Sequence, residues 1–302
     1  MKILVSDPIA EEGVKRLEEA GFEVKMRTDL APKELIKIIP QYDGLIVRSA
    51  TKVTREVISA GKELKAIGRA GIGLDNIDLE AARERGIRIL NTPGATTISV
   101  AELALGHMLA LARHIPQATA SLKDGRWEKK RFMGTELYGK TLGIIGLGKI
   151  GREVAKRASA FGMDLVAYDP YVREVEVRDL GLKLLPLEDL LQYSDYITVH
   201  VPLTPETKHL LGEREFGMMK EGVRLIDCAR GGVVDERALY NALVSGKVAG
   251  AALDVFEQEP PQDNPLLKLD NVIATPHLGA SAQEGQVRSG VEIAEKIIAA
   301  LR

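Results

Sequence analysis

A single cysteine, Cys228, stands in 302 residues. It excludes an intramolecular disulfide and any multi-cysteine metal centre, and it suits a reducing compartment such as the cytoplasm. Excess charge is missing too. The 41 basic residues face 43 acidic ones, leaving −2 overall, without the basic surplus of a dedicated nucleic-acid binder. No apolar run approaches the ~20 residues of a bilayer span; the longest, 103–112, is interrupted by Gly106 and His107. The opening MKILVSD closes quickly on an acid and does not read as a signal peptide. Asn and Gln are few, 5 and 7 residues. With abundant Glu, Lys and Arg, that is the composition of heat-adapted proteins. These absences predict a cytoplasmic protein with no metal site and neither nucleic acid nor membrane as partner.

What is present is material for two packed domains: the length fits two at roughly 100–200 residues each, and 45% of the chain is apolar. Short β-rich runs (3–6, 22–26, 44–48, 64–68 and 87–90) alternate with amphipathic helical segments such as 10–20 and 79–85. Strand–helix alternation predicts a parallel sheet covered by helices on both faces. A second set of six runs starts at Lys140: 141–145, 165–168, 196–200, 224–227, 251–255 and 272–275. Six strands fit a dinucleotide-binding sheet. Between the sets, 100–112 is apolar on most sides and predicts a buried helix. Trp127, with Phe132 and Met133, would need cover, which predicts a subunit contact and a homodimer.

Residues 142–151, LGIIGLGKIG, place Gly146, Gly148 and Gly151 in the G-x-G-x-x-G spacing directly after an apolar run. The following GREVAKRASAFG reads as a helix, and Asp169 ends the next run. Strand, glycines, helix, second strand and acid in this order predict a pyrophosphate seated on a helix N-terminus. Asp169 would bond the adenine-ribose hydroxyls and repel a 2′-phosphate, so NAD is the expected cofactor. Arg173 nearby keeps NADP as the alternative. Gly68, Gly71 and Gly73 have a different spacing and read as a loop whose backbone approaches a ligand.

Three charged residues follow late strands: Arg230 in CARGGVVDE, Glu259 in ALDVFEQEP and His277 in TPHLGA. Each alone could be a solvated or packing residue. Together they match the needs of alcohol oxidation. A histidine titrating near neutrality serves as general base. A carboxylate beside it fixes its tautomer and raises its pKa. An Arg fork grips a substrate carboxylate.

Together GKTLGIIGLGKIG, HVPLTPET, CARGGVVDE, ALDVFEQEP and TPHLGA resemble the D-isomer-specific 2-hydroxyacid dehydrogenases over nearly the whole chain. VRSATKVT, GRAGIGLDNIDLEAA, NTPGATTISVAELALG and KDGRWEKKRFMGTEL resemble the members that act on 3-phospho-D-glycerate. The resemblance implies a Rossmann-type cofactor domain, 96–278, inserted into a flavodoxin-like substrate domain made of 1–95 and 279–302. The active site would lie in the cleft between them. It implies Arg230 on the substrate carboxylate, His277 as acid/base and Glu259 as its partner. Arg48, Ser49, Arg69, Gly71 and Ile72 would lie on the substrate side, with Ile72 also counted to the cofactor. Lys149 and Ile150 would meet the pyrophosphate, and Val201, Cys228, Ala229, Asp254, Gly279 and Ala280 would line the rest of the NAD site.

The implied activity is NAD-dependent oxidation of 3-phospho-D-glycerate, the first step of serine synthesis. A glyoxylate/hydroxypyruvate reductase is the alternative, and a non-catalytic NAD-sensing corepressor-like protein a weaker one. Arg48, Arg69 and the run 129–131 favour a phosphorylated substrate, although 129–131 also fits a solvated helix face. The chain stops at Arg302, with no room for the serine-sensing regulatory domain many relatives carry. Feedback inhibition through such a domain is therefore not expected.

Overall fold

The computed structural model describes residues 1–302. The chain divides into two compact units, Met1–Ser99 with Ala280–Arg302, and Val100–Gly279. The division lies at 99/100 and 279/280, where the sequence suggests 95/96 and 278/279.

In the first unit, strands β1 (Lys2–Val5), β2 (Glu23–Met26), β3 (Gly44–Val47), β4 (Ala66–Arg69) and β5 (Arg88–Asn91) form an all-parallel sheet in the order β2-β1-β3-β4-β5. This is the flavodoxin-like order. Successive side chains on a strand point to opposite faces, and here both faces are covered. Ile3, Val5 and Ile46 pack with Ile293 and Ile297 of the last helix, Gln283–Leu301. Leu4, Leu45, Val47 and Ile67 pack with Leu35, Val57 and Ile58 on the other side. Double coverage explains why β1 and β3 read as apolar runs, whereas the edge strand β2, EVKM, alternates. The first helix, Glu11–Glu19, meets the last one so closely that a Cβ on Gly13 would lie 2.4 Å from the Gly290 carbonyl oxygen.

The second unit holds a seven-stranded parallel sheet where six were expected. Its strands are β6 (Thr141–Ile145), β7 (Asp164–Tyr168), β8 (Lys183–Leu184), β9 (Tyr196–Val199), β10 (Val223–Asp227), β11 (Val248–Leu253) and β12 (Val272–Ala274), in the order β12-β11-β10-β9-β6-β7-β8. The extra strand, β8, pairs only two residues with β7 at the sheet edge, too short for an apolar run to announce it. Strand order reverses at β6, with β7 on one side and β9 on the other. Such a switch point is where ligands bind, outside the carboxyl ends of the strands.

Helix Thr97–Arg113 extends the expected buried helix by a turn, and Ala101, Ala104, Met108 and Ala112 sit in the core of the second unit. No single helix is long and apolar enough to cross a membrane.

Candidate active site

At the switch point, β6 runs into Gly146, whose φ of +92° only glycine adopts without strain. A Cβ there would also strike the His200 carbonyl oxygen at the end of β9, 2.7 Å away. Gly151, in the first turn of helix Lys149–Ala160, lies beneath: its Cβ would come 2.1 Å from the Gly146 carbonyl oxygen. Gly148 differs. A Cβ on it would meet nothing within 4 Å. The protein does not need that space, and it opens at the helix N-terminus, whose cap Gly148 offers no side-chain acceptor. Free N–H groups and a positive dipole end beside open room fit a pyrophosphate. Lys149 is exposed there, Ile150 is tucked against the core, and Val201 borders the turn.

Asp169 follows β7. Its carboxylate accepts hydrogen bonds from Leu147 N (2.8 Å) and Tyr171 N (2.9 Å), which holds it against the glycine turn. Arg173, by contrast, is 80% exposed and paired with Glu176 at 3.1 Å. Sequence reasoning passed over Arg152, which donates from Nε to Leu147 O at 3.0 Å and braces the turn.

The charged trio is brought together at the carboxyl ends of β10, β11 and β12. His277 Nδ1 lies 2.8 Å from Glu259 Oε2. Glu259 also accepts from Phe256 N at 3.2 Å. Burial alone would raise the Glu259 pKa, but the His277 hydrogen bond and charge, then the Phe256 N–H and Arg230, hold it below the usual carboxylate range. It is therefore ionised at neutral pH and can only accept, so Nδ1 carries the proton and Nε2 is the nitrogen left for chemistry. The same hydrogen bond raises the His277 pKa, against burial and the Arg230 charge. His277 has φ +54°, a left-handed conformation uncommon outside glycine. The Arg230 guanidinium donates to Ala229 O at 2.7 Å. Its neighbour Gly231 is pressed against the loop that carries Glu259, since a Cβ there would overlap the Phe256 carbonyl oxygen at 1.8 Å.

Asp254, at the end of β11, is 1% exposed. Its backbone carbonyl accepts from His277 N (2.9 Å), and its carboxylate from Leu278 N and Gly279 N (2.7 Å each) and Thr275 Oγ1 (2.5 Å). Its visible work is to fasten the histidine loop. Thr275 Oγ1 also meets His107 Nε2 at 3.2 Å, and His107 Nδ1 faces Cys228 Sγ at 3.6 Å. Burial keeps His107 neutral and, with Asp254 and Asp227 nearby, pushes the Cys228 thiol up. Cys228 is thus a buried thiol, not a nucleophile.

In the first unit, the loop after β3 is pinned from beneath. Asp7, 4% exposed, accepts from Arg48 N (2.6 Å), Thr51 N (3.1 Å) and Thr51 Oγ1 (2.8 Å). Asn76 donates to Arg48 O and Thr51 O. Ser49 is exposed in this loop. The Arg48 side chain reaches Pro8 O at 3.4 Å. Arg69 is only 13% exposed and donates to Arg48 O and Gly73 O, with Asp75 at 3.9 Å. Gly71 and Ile72 follow it in a half-buried loop, and Ala280 opens the unit's second segment.

Residues 105–279 match the NAD binding domain of the D-isomer specific 2-hydroxyacid dehydrogenases. The chain belongs to this family. Its second unit is the family's NAD-binding domain, in agreement with the open cradle at Gly148. Among relatives, D-3-phosphoglycerate dehydrogenase of Methanocaldococcus jannaschii is 56% identical over the whole chain, which spans 58% of that protein's length. Hydroxypyruvate reductase of Thermotoga maritima is 55% identical across 98% of the chain and 97% of its own length. The crystal structure of TT0316 protein from Thermus thermophilus superposes with a TM-score of 0.92 at 40% identity, covering 100% of this chain and 97% of that one.

Proposed function

We propose that the chain oxidises 3-phospho-D-glycerate with NAD, giving 3-phosphooxypyruvate, as the opening reaction of serine synthesis. The observation that carries this reading is the His277–Glu259 pair at 2.8 Å beside Arg230, on strands of an NAD-binding sheet. The name of the M. jannaschii relative supports the substrate. NAD supplies the hydride acceptor. His277 takes the hydroxyl proton at Nε2, and Glu259 stabilises the imidazolium that results. Arg230 holds the substrate carboxylate and the oxygen that becomes the carbonyl.

The cofactor residues of this reading are Gly146, Gly148, Lys149, Ile150, Gly151, Asp169, Val201, Cys228, Ala229, Asp254, Gly279 and Ala280, with Ile72, and Arg230 and His277 serve the cofactor as well as the substrate. Substrate residues are Arg48, Ser49, Arg69 and Gly71. Arg48 is the better phosphate ligand of the two arginines, because the Arg69 guanidinium is committed to the backbone carbonyls of Arg48 and Gly73. The expected assembly is a homodimer, and the lone buried thiol suits the cytoplasm.

A second reading, reduction of hydroxypyruvate, is favoured by the T. maritima relative, which matches along nearly its whole length. A turnover assay separates the two. The first reading expects kcat/KM for 3-phospho-D-glycerate to exceed that for D-glycerate by at least ~10-fold, the weight of one charged hydrogen bond. His277→Asn should lower turnover by about 10²–10⁴-fold while NADH still binds. Equal rates on D-glycerate, with fast reduction of hydroxypyruvate, would establish the second reading instead.

A further inference from the structure

Glu259 sits on an exposed loop between β11 and β12, where the chain runs EQEPPQDNP. A polar loop of this kind is ordinarily the mobile part of a sheet protein. Yet Glu259 must hold one oxygen at the His277 ring if it is to set that ring's tautomer and basicity. Its one backbone anchor within the loop is Phe256 N. The rest of the hold comes from another element.

Helix Glu236–Val244 begins close by, after the Arg230–Gly231–Gly232 turn. Its cap, Asp235, accepts from Ala238 N at 2.9 Å, which satisfies the helix end. The first helical residue, Glu236, is therefore not needed as a cap, and its carboxylate turns outward to the loop. Oε1 accepts from Glu257 N at 2.6 Å. Oε2 accepts from Asn264 Nδ2 at 2.7 Å. In return, Glu236 N donates to Glu257 Oε1 at 3.2 Å. Asn264 passes the tie inward, because its Oδ1 accepts from Leu266 N at 3.0 Å and Leu266 is fully buried. His209 Nε2 adds a contact to Glu257 Oε1 at 3.2 Å. One carboxylate thus grips the loop at 257 and again at 264, with Glu259 on the stretch between.

We propose that Glu236 is a positioning residue for the acid/base pair: a two-ended clamp that fixes the Glu259 loop so that Glu259 stays on His277. The inference rests on the reading of His277 and Glu259 as that pair. It differs from a general structural role in what it controls. Cutting a purely structural tie lowers stability. Cutting this one also releases Glu259, and the imidazole loses its partner. The charged groups facing His277 are Glu259 from the loop, Asp254 from the end of β11 and Arg230 from the turn after β10. Of the two acids, only Glu259 depends on the clamp, because Asp254 is held by the histidine loop itself.

The test reads the His277 ring directly by NMR titration of the full chain with labelled histidine, His277→Asn identifying the resonance. No substrate is required, so failure of the proposed activity would leave this measurement intact. Glu259→Gln sets the scale, the full loss of the partner. Glu236→Ala should lower the His277 midpoint by at least half as much, and Glu236→Ala combined with Glu259→Gln should lower it no further than Glu259→Gln alone. Glu236→Gln retains an acceptor for Glu257 N but offers Asn264 a second amide donor, so it should fall between wild type and Glu236→Ala. Should Glu236→Ala fail to fold, Asn264→Ala removes one end of the clamp alone and should shift the midpoint in the same direction. A His277 midpoint unchanged in both Glu236→Ala and Asn264→Ala would overturn the proposal. So would additive shifts in the double variant, which would mean that Glu236 acts on His277 by a route other than Glu259.

Discussion

Asp227 closes β10 with its side chain 2% exposed, accepting from Ala229 N at 2.9 Å. Burial, with Asp254 and Glu236 adding their negative charge, pushes its pKa up to about 7; the Ala229 N–H and the Arg230 charge pull the other way without cancelling this. A carboxyl whose folded pKa is raised is stabilising while both states are protonated. That stability is lost progressively as pH climbs from the unfolded value, 3.8, to about 7. Above that, the folded protein carries the whole cost of a buried ionised carboxylate. The amide in Asp227→Asn keeps an acceptor for Ala229 N and cannot ionise. Its melting temperature should equal wild type near the unfolded pKa and pull ahead as pH rises. The gain should level off above about pH 7 at several degrees, given roughly 2–4 °C per kcal/mol in a domain of this size. Calorimetry across that range checks this. A gain independent of pH would mean that ionisation of Asp227 carries no such cost.

At the level of elements, the turn from β6 into helix Lys149–Ala160 is legible in sequence because several local requirements coincide there. Gly146 needs positive φ, Gly151 needs backbone contact, and an acid ends the next strand. The trio of Arg230, Glu259 and His277 is legible for a similar reason, since each follows an apolar run and parallel strands bring their ends together. What stays hidden is whatever depends on tertiary pairing. β8 is two residues long. Glu236 looks like any acid in the first turn of a helix, and His107 like a polar interruption of an apolar one. The acid on β7 shows how an element-level tie and a charge can be separated. Asp169 accepts from Leu147 N and, in the proposed reading, turns its negative charge to the adenine ribose. Asp169→Asn removes the charge but leaves a single oxygen for two donors, Leu147 N and Tyr171 N. It should lower the melting temperature slightly and cut the NAD/NADP ratio of kcat/KM by about 10-fold, the equivalent of ~1.4 kcal/mol. Asp169→Ala should cut the ratio similarly and destabilise the turn more, because both ties are lost. An unchanged ratio in both variants would remove Asp169 from cofactor selection.

On the scale of the whole molecule, the apolar surface is unevenly distributed. Trp127 is 83% exposed, Met133 81%, Tyr138 76%, Leu122 58% and Ile115 51%, all within residues 115–138 of the second unit. Single exposed apolar side chains are normal, but so many large ones in one short stretch are the mark of a surface that another protein covers. A second copy of the chain is the expected cover. Light scattering at micromolar concentration should then give twice the 32.9 kDa chain mass. Trp127 is the only tryptophan, so its fluorescence reports this segment alone. On dilution through the dissociation range, the emission should shift to longer wavelength as the indole enters water. Trp127→Glu should move the equilibrium towards monomer by placing a charge where the dimer would cover an aromatic side chain, and the melting temperature of the wild type should rise with concentration. Tyr171→Glu is the control. Tyr171 is 90% exposed and lies outside this segment, so the mass should remain that of the dimer. A wild-type mass of 32.9 kDa at micromolar concentration would mean that the 115–138 segment stands open to water, and the dimer would have to be given up.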